Sequence, residues 1–297
     1  MHLHDFYQKK EHTHLRLLLI LLTIIFFFAG CDKAPNDIPS QALSTEERVW
    51  MEKFFKDVML DESAIYTLFG SKPMTAITLS YRSDEEVNAF FDQMSEEEKA
   101  TAVVVNDYDL PQNWEKWGKI RSRFPMTRYL FFKKADPEDS KFATLYFVDI
   151  LRVALILQEY HDIFKSETGI DFHPLQVVFE MEKGSPFWDQ VFDNSVLVGL
   201  LYGFGLKNSY SFTWKYGELP ETCTGFCQAL LSRSSDEPTY GNATISHFRL
   251  PIFASFSEQD EVIEKYEKER GEIKQRYRGK DFLSLTLLKL TSHVSGK

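Results

Sequence analysis

The sequence predicts an α+β fold, a single mostly helical domain carrying a mixed or antiparallel sheet. Three observations lead there. Segments of helical and of strand period follow one another in irregular order, unlike the regular alternation of a doubly wound parallel sheet. No internal repeat is present. The chain of 297 residues is 43% hydrophobic with only 14 Gly and 11 Pro, the composition of an ordered domain able to bury a substantial core.

The first element lies outside that domain. Lys9, Lys10 and Arg16 precede an unbroken apolar run over residues 17–28, the basic and hydrophobic regions of a secretory signal. Twelve helical residues rise about 18 Å, short of a hydrocarbon core of roughly 30 Å, so the run reads as a removed signal over residues 1–30 and not as a spanning helix. Residues 31–43 hold Pro35, Asn36, Asp37, Pro39 and Ser40 with almost nothing apolar, which describes a flexible tether reaching about 20 Å. Residues 44–297 then form the globular domain, with two subdomains as the alternative.

Within the domain, Ser44 and Glu47 form a capping box ahead of Met51, Phe54, Phe55 and Val58, the one-sided spacing of an amphipathic helix. After the breaker Pro73, Ile77, Leu79 and Tyr81 alternate with Thr78 and Ser80 as a strand does. Ser83 and Glu86 cap a second helix that continues through Val87, Phe90, Phe91 and Met94. Residues 145–157 are apolar nearly all round and lead to Tyr160, Ile163 and Phe164, a strand running into a buried central helix. Residues 196–204 form a second apolar stretch, bounded by Asp193 and Asn194 and too short to span a membrane. Tyr210, Phe212, Trp214 and Tyr216 alternate with Ser209, Ser211, Thr213 and Lys215, the clearest strand signal in the chain. Val262, Tyr266, Ile273 and Tyr277 mark a narrow stripe on a long charged helix closed by Gly279.

Charge narrows the function classes. Without residues 1–30, the 34 basic and 44 acidic side chains become 31 and 42, a net charge of −11. So acidic a chain is a poor partner for nucleic acid, whose binding needs many cations to displace phosphate counterions. One segment departs from the trend. Between residues 114 and 134, Lys116, Lys119, Arg121, Arg123, Arg128, Lys133 and Lys134 meet a single acid, Glu115. On a helix opened by Asp109 and stopped by Pro125, Leu110, Trp114, Trp117 and Phe124 face inward while Lys116, Lys119 and Arg123 face out. Those three cations are the candidate surface for anionic lipid. The alternative is neutralisation by the acids between Asp84 and Glu98.

No motif for serine hydrolysis, zinc proteolysis or phosphate binding by a Gly-rich loop occurs, and no cofactor is implied. Asp107 and Asp109 are the carboxylates available to an envelope hydrolase or to calcium, although loops are rich in Asp and Asp109 also suits a helix cap. His161 beside Asp162, and His173 after Asp171, lack zinc-motif spacing and read as a solvated face. Asp149 and Arg152 read as an ion pair at the end of a buried helix. Gly199, Gly203 and Gly205 read as close-packing positions. The aromatics from Tyr210 to Tyr216 suit either half of a sheet core or a glycan-stacking face. Cys223 and Cys227 remain an even pair once Cys31 is set aside, which in an exported protein suggests a disulfide, with free thiols as the alternative.

Phe28, Ala29, Gly30 and Cys31 resemble the lipobox of bacterial lipoproteins, with Phe28 where Leu is usual. The resemblance implies diacylation of Cys31, cleavage before it, and a permanent tether to an envelope membrane, because two or three acyl chains make detachment negligible. Asp32 is similar to the residue that retains some lipoproteins in the inner membrane. Residues 66–75, with Phe69, Gly70, Ser71, Lys72 and Pro73, are similar to a recurring segment of uncharacterised predicted lipoproteins of intracellular bacteria, which implies no activity. The expectation is a lipid-anchored envelope protein whose domain binds anionic lipid, cell wall or another envelope protein, with a cell-wall hydrolase as the alternative.

Overall fold

Ser44 opens the first helix as its capping box predicts. Its hydroxyl accepts the Glu47 N–H at 3.1 Å, and the Glu47 carboxylate accepts the Ser44 N–H at 2.8 Å. The structure is a computed structural model that describes residues 43–95, 109–216, 231–232 and 241–292. Helix α1 (Thr45–Lys56) buries Met51, Phe54 and Phe55, then widens into a π-helical turn at Asp57–Asp61. Helix α2 (Ile65–Leu68), strand β1 (Met74–Ser80) and helix α3 (Asp84–Gln93) follow, the last with its own capping box from Ser83 and Glu86. Helix α4 (Asp109–Ile120) ends in a 3₁₀ turn at Arg121–Arg123. Strands β2 (Tyr129–Ala135) and β3 (Phe142–Asp149) complete an antiparallel sheet with β3 at its centre, Met74 opposite Val148 and Tyr129 opposite Asp149.

The chain then turns mostly helical. Asp149 caps α5 (Ile150–Glu159), and α6 (His161–Thr168), α7 (Pro174–Val178), α8 (Pro186–Phe192), α9 (Ser195–Leu201) and α10 (Gly205–Tyr216) follow. Strands β4 (Leu231–Ser232) and β5 (Ala254–Ser255) make a short antiparallel ladder. Helices α11 (Glu261–Tyr277) and α12 (Phe282–Thr291) end the described chain, with Gly279 at φ +69° as the expected cap. The architecture is α+β, as the sequence predicts. Among the described residues no helix is long and apolar enough to cross a membrane.

Strand alternation splits the core in two. Ile77, Leu79, Tyr129, Phe131, Leu145 and Phe147 face one side and pack with residues of α1, α4, α11 and α12. Met74, Phe132, Tyr146 and Val148 face the other, against residues from α5 to α9. Both faces of the sheet are therefore covered. Aromatic side chains carry much of this packing: buried Trp117 stacks on Phe124 at 5.4 Å and meets Phe55 edge-on at 5.3 Å.

One strand expectation fails. Tyr210, Phe212, Trp214 and Tyr216 lie on α10, not on a strand. The hydroxyls of Ser209, Ser211 and Thr213 bond back to the carbonyls of Gly205, Lys207 and Ser209 at 2.7, 2.9 and 3.2 Å, so their polar atoms are satisfied within a helix. Burial is inverted relative to the strand reading: Asn208, Ser209 and Ser211 are buried while Phe212 and Trp214 are exposed. Close packing explains this. A Cβ on Gly199 of α9 would lie 2.5 Å from Ser209 Oγ, so the buried side of α10 admits only small side chains. Tyr210 and Trp214 stack at 5.9 Å one helical turn apart.

Candidate functional site

The loop from α2 to β1 is held from several sides. Gly70 leaves room for the Glu269 carboxylate, which an added Cβ would meet at 2.2 Å, and Glu269 accepts the Ser71 N–H at 3.0 Å. The Lys72 N–H donates to the Tyr66 carbonyl at 3.2 Å, and the Pro73 carbonyl accepts from the Asp149 N–H at 2.9 Å. Against the same loop sits Gly203, at φ +77°. A Cβ there would come within 2.7 Å of Tyr266 Oη and 2.8 Å of Pro73 Cδ, so both its backbone shape and its neighbours require glycine. Tyr266 Oη in turn donates toward the Gly203 carbonyl at 3.2 Å.

This rigid loop presents Lys72 to a cavity of about 360 Å³, in the range of small-molecule pockets. The apolar wall comes from Phe192, Val198, Tyr202, Phe204, Phe212 and Ile252. The polar wall comes from Asp61, Glu62, Ser63, Lys72 and Arg249. Tyr66 fixes the last of these by donating its hydroxyl to the Arg249 carbonyl at 3.2 Å. The cavity lies where the π-helical turn, the β1 residue Ala76 and α9 converge, at the seam between the two cores.

Two backbone features mark the polar wall. The π-helical turn is an uncommon insertion into a helix, found disproportionately at functional sites. Ser63 is buried at φ +60°, where a non-glycine residue costs about 1–3 kcal/mol of backbone strain. Ser63 is the sole non-glycine residue of positive φ among the described residues, and it lines the cavity.

Lys72 is 6% exposed, and among the described residues its ammonium makes neither an ion pair nor a hydrogen bond. Its neighbour is the ring of Tyr202, with Nζ 5.7 Å from the centroid. Burial pushes the Lys72 ammonium down to about 8 against the opposing pull of the Glu62 carboxylate. The same burial holds the Tyr202 phenol above its ordinary range. An amine that is buried, lacks a carboxylate partner and opens to a cavity has its strongest interactions still to make.

The sequence-predicted residues fall elsewhere. Lys116, Lys119 and Arg123 are exposed; Arg123 pairs with Glu47 at 2.6 Å, and Lys116 lies over the Trp50 ring at 6.0 Å. Arg128, Lys133 and Lys134 pair with Asp149, Glu115 and Asp189 at 2.7, 2.9 and 3.3 Å. Arg121 reaches the Phe131 carbonyl at 3.5 Å. Glu86, from the acidic run, pairs instead with Lys141. Asp109 is exposed, 3.5 Å from Lys53, and does not line the cavity. His173 caps α7 by accepting the Gln176 N–H, and His161 meets the Phe172 carbonyl at 3.3 Å. Among the described residues no three potential ligands gather for a metal. Phe28, Ala29, Gly30, Cys31, Asp32, Asp107, Cys223 and Cys227 lie outside the described residues.

No family model, curated protein or solved structure matches this chain. The site rests on its geometry alone. Asp61, Ser63 and Arg249 carry no sequence signal of a site, and Lys72, named above only within the 66–75 segment and without a role, stands in a short glycine- and proline-bounded loop between two apolar segments.

Proposed function

We propose that this chain is a membrane-anchored envelope lipoprotein whose globular domain binds a small amphipathic molecule in the cavity beside Lys72. The observation that carries the binding role is a buried lysine without an ion-pair partner among the described residues, facing a cavity with one apolar, partly aromatic wall. A ligand with an apolar body and an oxygen-bearing head complements both walls: the rings of Phe192, Phe204 and Phe212 receive the body, and Lys72 donates to the head. The anchor rests on the basic and apolar N-terminal pattern together with Cys31. A tether of thirteen residues, 31–43, would hold the cavity close to the bilayer, where amphiphiles concentrate.

The two halves of this reading are tested separately. For the anchor, intact-mass measurement of envelope material should give an acylated species beginning at Cys31, and Cys31→Ala should block lipid labelling without moving the melting temperature. An unmodified chain starting at Met1 overturns the anchor. For the cavity, the mature chain carrying Cys31→Ala is titrated with 1-anilinonaphthalene-8-sulfonate, which joins aromatic rings to an anionic head. Saturable fluorescence enhancement is expected. Ser195 is exposed at the cavity wall, so Ser195→Trp should obstruct the cavity and remove the enhancement while the core stays intact. Lys72→Met should weaken binding about tenfold, the loss of one charge-assisted hydrogen bond. Equal enhancement in wild type and Ser195→Trp would place the dye elsewhere and remove the cavity reading.

A further inference from the structure

We propose that Lys72 is a carbonyl-capturing amine, forming a reversible imine with an aldehyde or ketone group of a molecule seated in the cavity. This rests on the reading of the cavity as a ligand site and adds the class of head group it takes. Three features of the geometry favour capture over simple ion pairing. The amine makes no ion pair among the described residues, so only the weaker, longer-range pull of the Glu62 carboxylate favours the ammonium form. It lies against the Tyr202 ring in a largely apolar enclosure, which disfavours the charged form and raises the share of nucleophilic free amine. Asp61 and Glu62 line the same cavity and bring carboxyl groups for the proton transfers that dehydration needs. The depressed Lys72 ammonium, near 8, agrees with this placement.

The step balances without any oxidant or reductant. The Nζ lone pair forms a bond to the carbonyl carbon while the carbonyl π pair moves to oxygen; one of the two Nζ protons then passes to that oxygen, which gives a neutral carbinolamine and restores the nitrogen lone pair. A second proton on that hydroxyl lets it leave as water. The nitrogen lone pair closes the C=N bond, and the nitrogen's remaining proton passes to a carboxylate or to solvent. Addition of water reverses the sequence, so the site holds and releases its ligand without consuming it.

Butanal is the probe, an aldehyde small enough for the cavity with an aliphatic tail. The full mature chain is incubated with butanal and sodium cyanoborohydride at pH 7, which converts any imine to a stable butylamine, and modified lysines are located by peptide mass. Lys119 is exposed and serves as the internal reference. Modification of Lys72 is expected to run about tenfold or more ahead of Lys119, since an ordinary lysine is almost wholly protonated at that pH. Ser195→Trp should slow Lys72 and leave Lys119 unchanged. Modification of Lys72 no faster than Lys119 overturns the proposal. If the naphthalene dye still saturates the cavity in that case, the ligand site stands and only the imine chemistry falls; if the dye fails as well, both fall.

Discussion

Asp149→Ala is expected to destabilise the fold by about 3–5 kcal/mol, the cost of breaking a buried ion pair by deleting one partner. The Asp149 side chain is fully buried at the junction of β3 and α5. Its Oδ2 accepts from Arg128 Nε at 3.0 Å and Nη2 at 2.7 Å and lies 3.3 Å from Arg152 Nη1, while Oδ1 caps α5 by accepting the Arg152 N–H at 3.2 Å. Arg152 also donates to the Thr67 carbonyl at 2.8 Å, which ties the helix to the segment before Lys72. Alanine removes the cap, worth about 1 kcal/mol, and leaves two part-buried guanidiniums without their shared anion. A third cation aggravates this. Lys289 is held below its ordinary range first by burial and then by Arg128 and Arg152, with Asp149 opposing them. Asp149→Asn keeps a capping oxygen and should lose less. Urea unfolding at pH 7 decides the matter, and a loss below about 1 kcal/mol would mean that the arginines reach water once released.

What could be read from sequence follows the range of the interaction. Capping boxes are local, three residues from hydroxyl to carboxylate, and both Ser44 with Glu47 and Ser83 with Glu86 form as the sequence predicts. The run through residues 145–157 becomes β3 and α5, because apolar length and a capping aspartate are also local signals. The aromatic alternation before Tyr216 misleads for a nonlocal reason: the neighbouring α9 brings Gly199 against Ser209, and tertiary packing overrides a period-two pattern. The cavity belongs to the same class. Asp61, Lys72 and Ile252 are spread over nearly two hundred positions, and nothing in the spacing of any one announces the others. Within the basic stretch, Arg123, Arg128 and Lys134 meet Glu47, Asp149 and Asp189, partners remote in sequence that no local pattern announces.

Lys72→Met should stabilise the protein at pH 7, by about 2–3 kcal/mol, and the gain should fade in alkali. The lysine of the unfolded chain titrates at its ordinary 10.5, whereas burial lowers the folded value to about 8. Below pH 8 both states carry the proton and the folded state bears the whole cost of enclosing it, on the order of 3 kcal/mol at 1.4 kcal/mol per pKa unit. Between 8 and 10.5 the unfolded state binds more protons, so wild-type stability rises with pH relative to the variant. Above 10.5 the amine is neutral in both states and the difference disappears. Methionine fills much the same space, so no large void is left to offset the gain, and the lost contact with the Tyr202 ring contributes only about 0.5–1 kcal/mol. The other groups around Lys72 are Asp61 at the end of the π-helical turn and Glu62 just after it, Arg249 on the facing segment and Tyr202 after α9, all present in both proteins. The difference between variants therefore isolates Lys72. Urea midpoints at pH 7 and pH 10 provide the comparison. A variant less stable than wild type at pH 7, or a gap unchanged at pH 10, would mean that the ammonium is satisfied in the fold and that the cavity holds no activated amine.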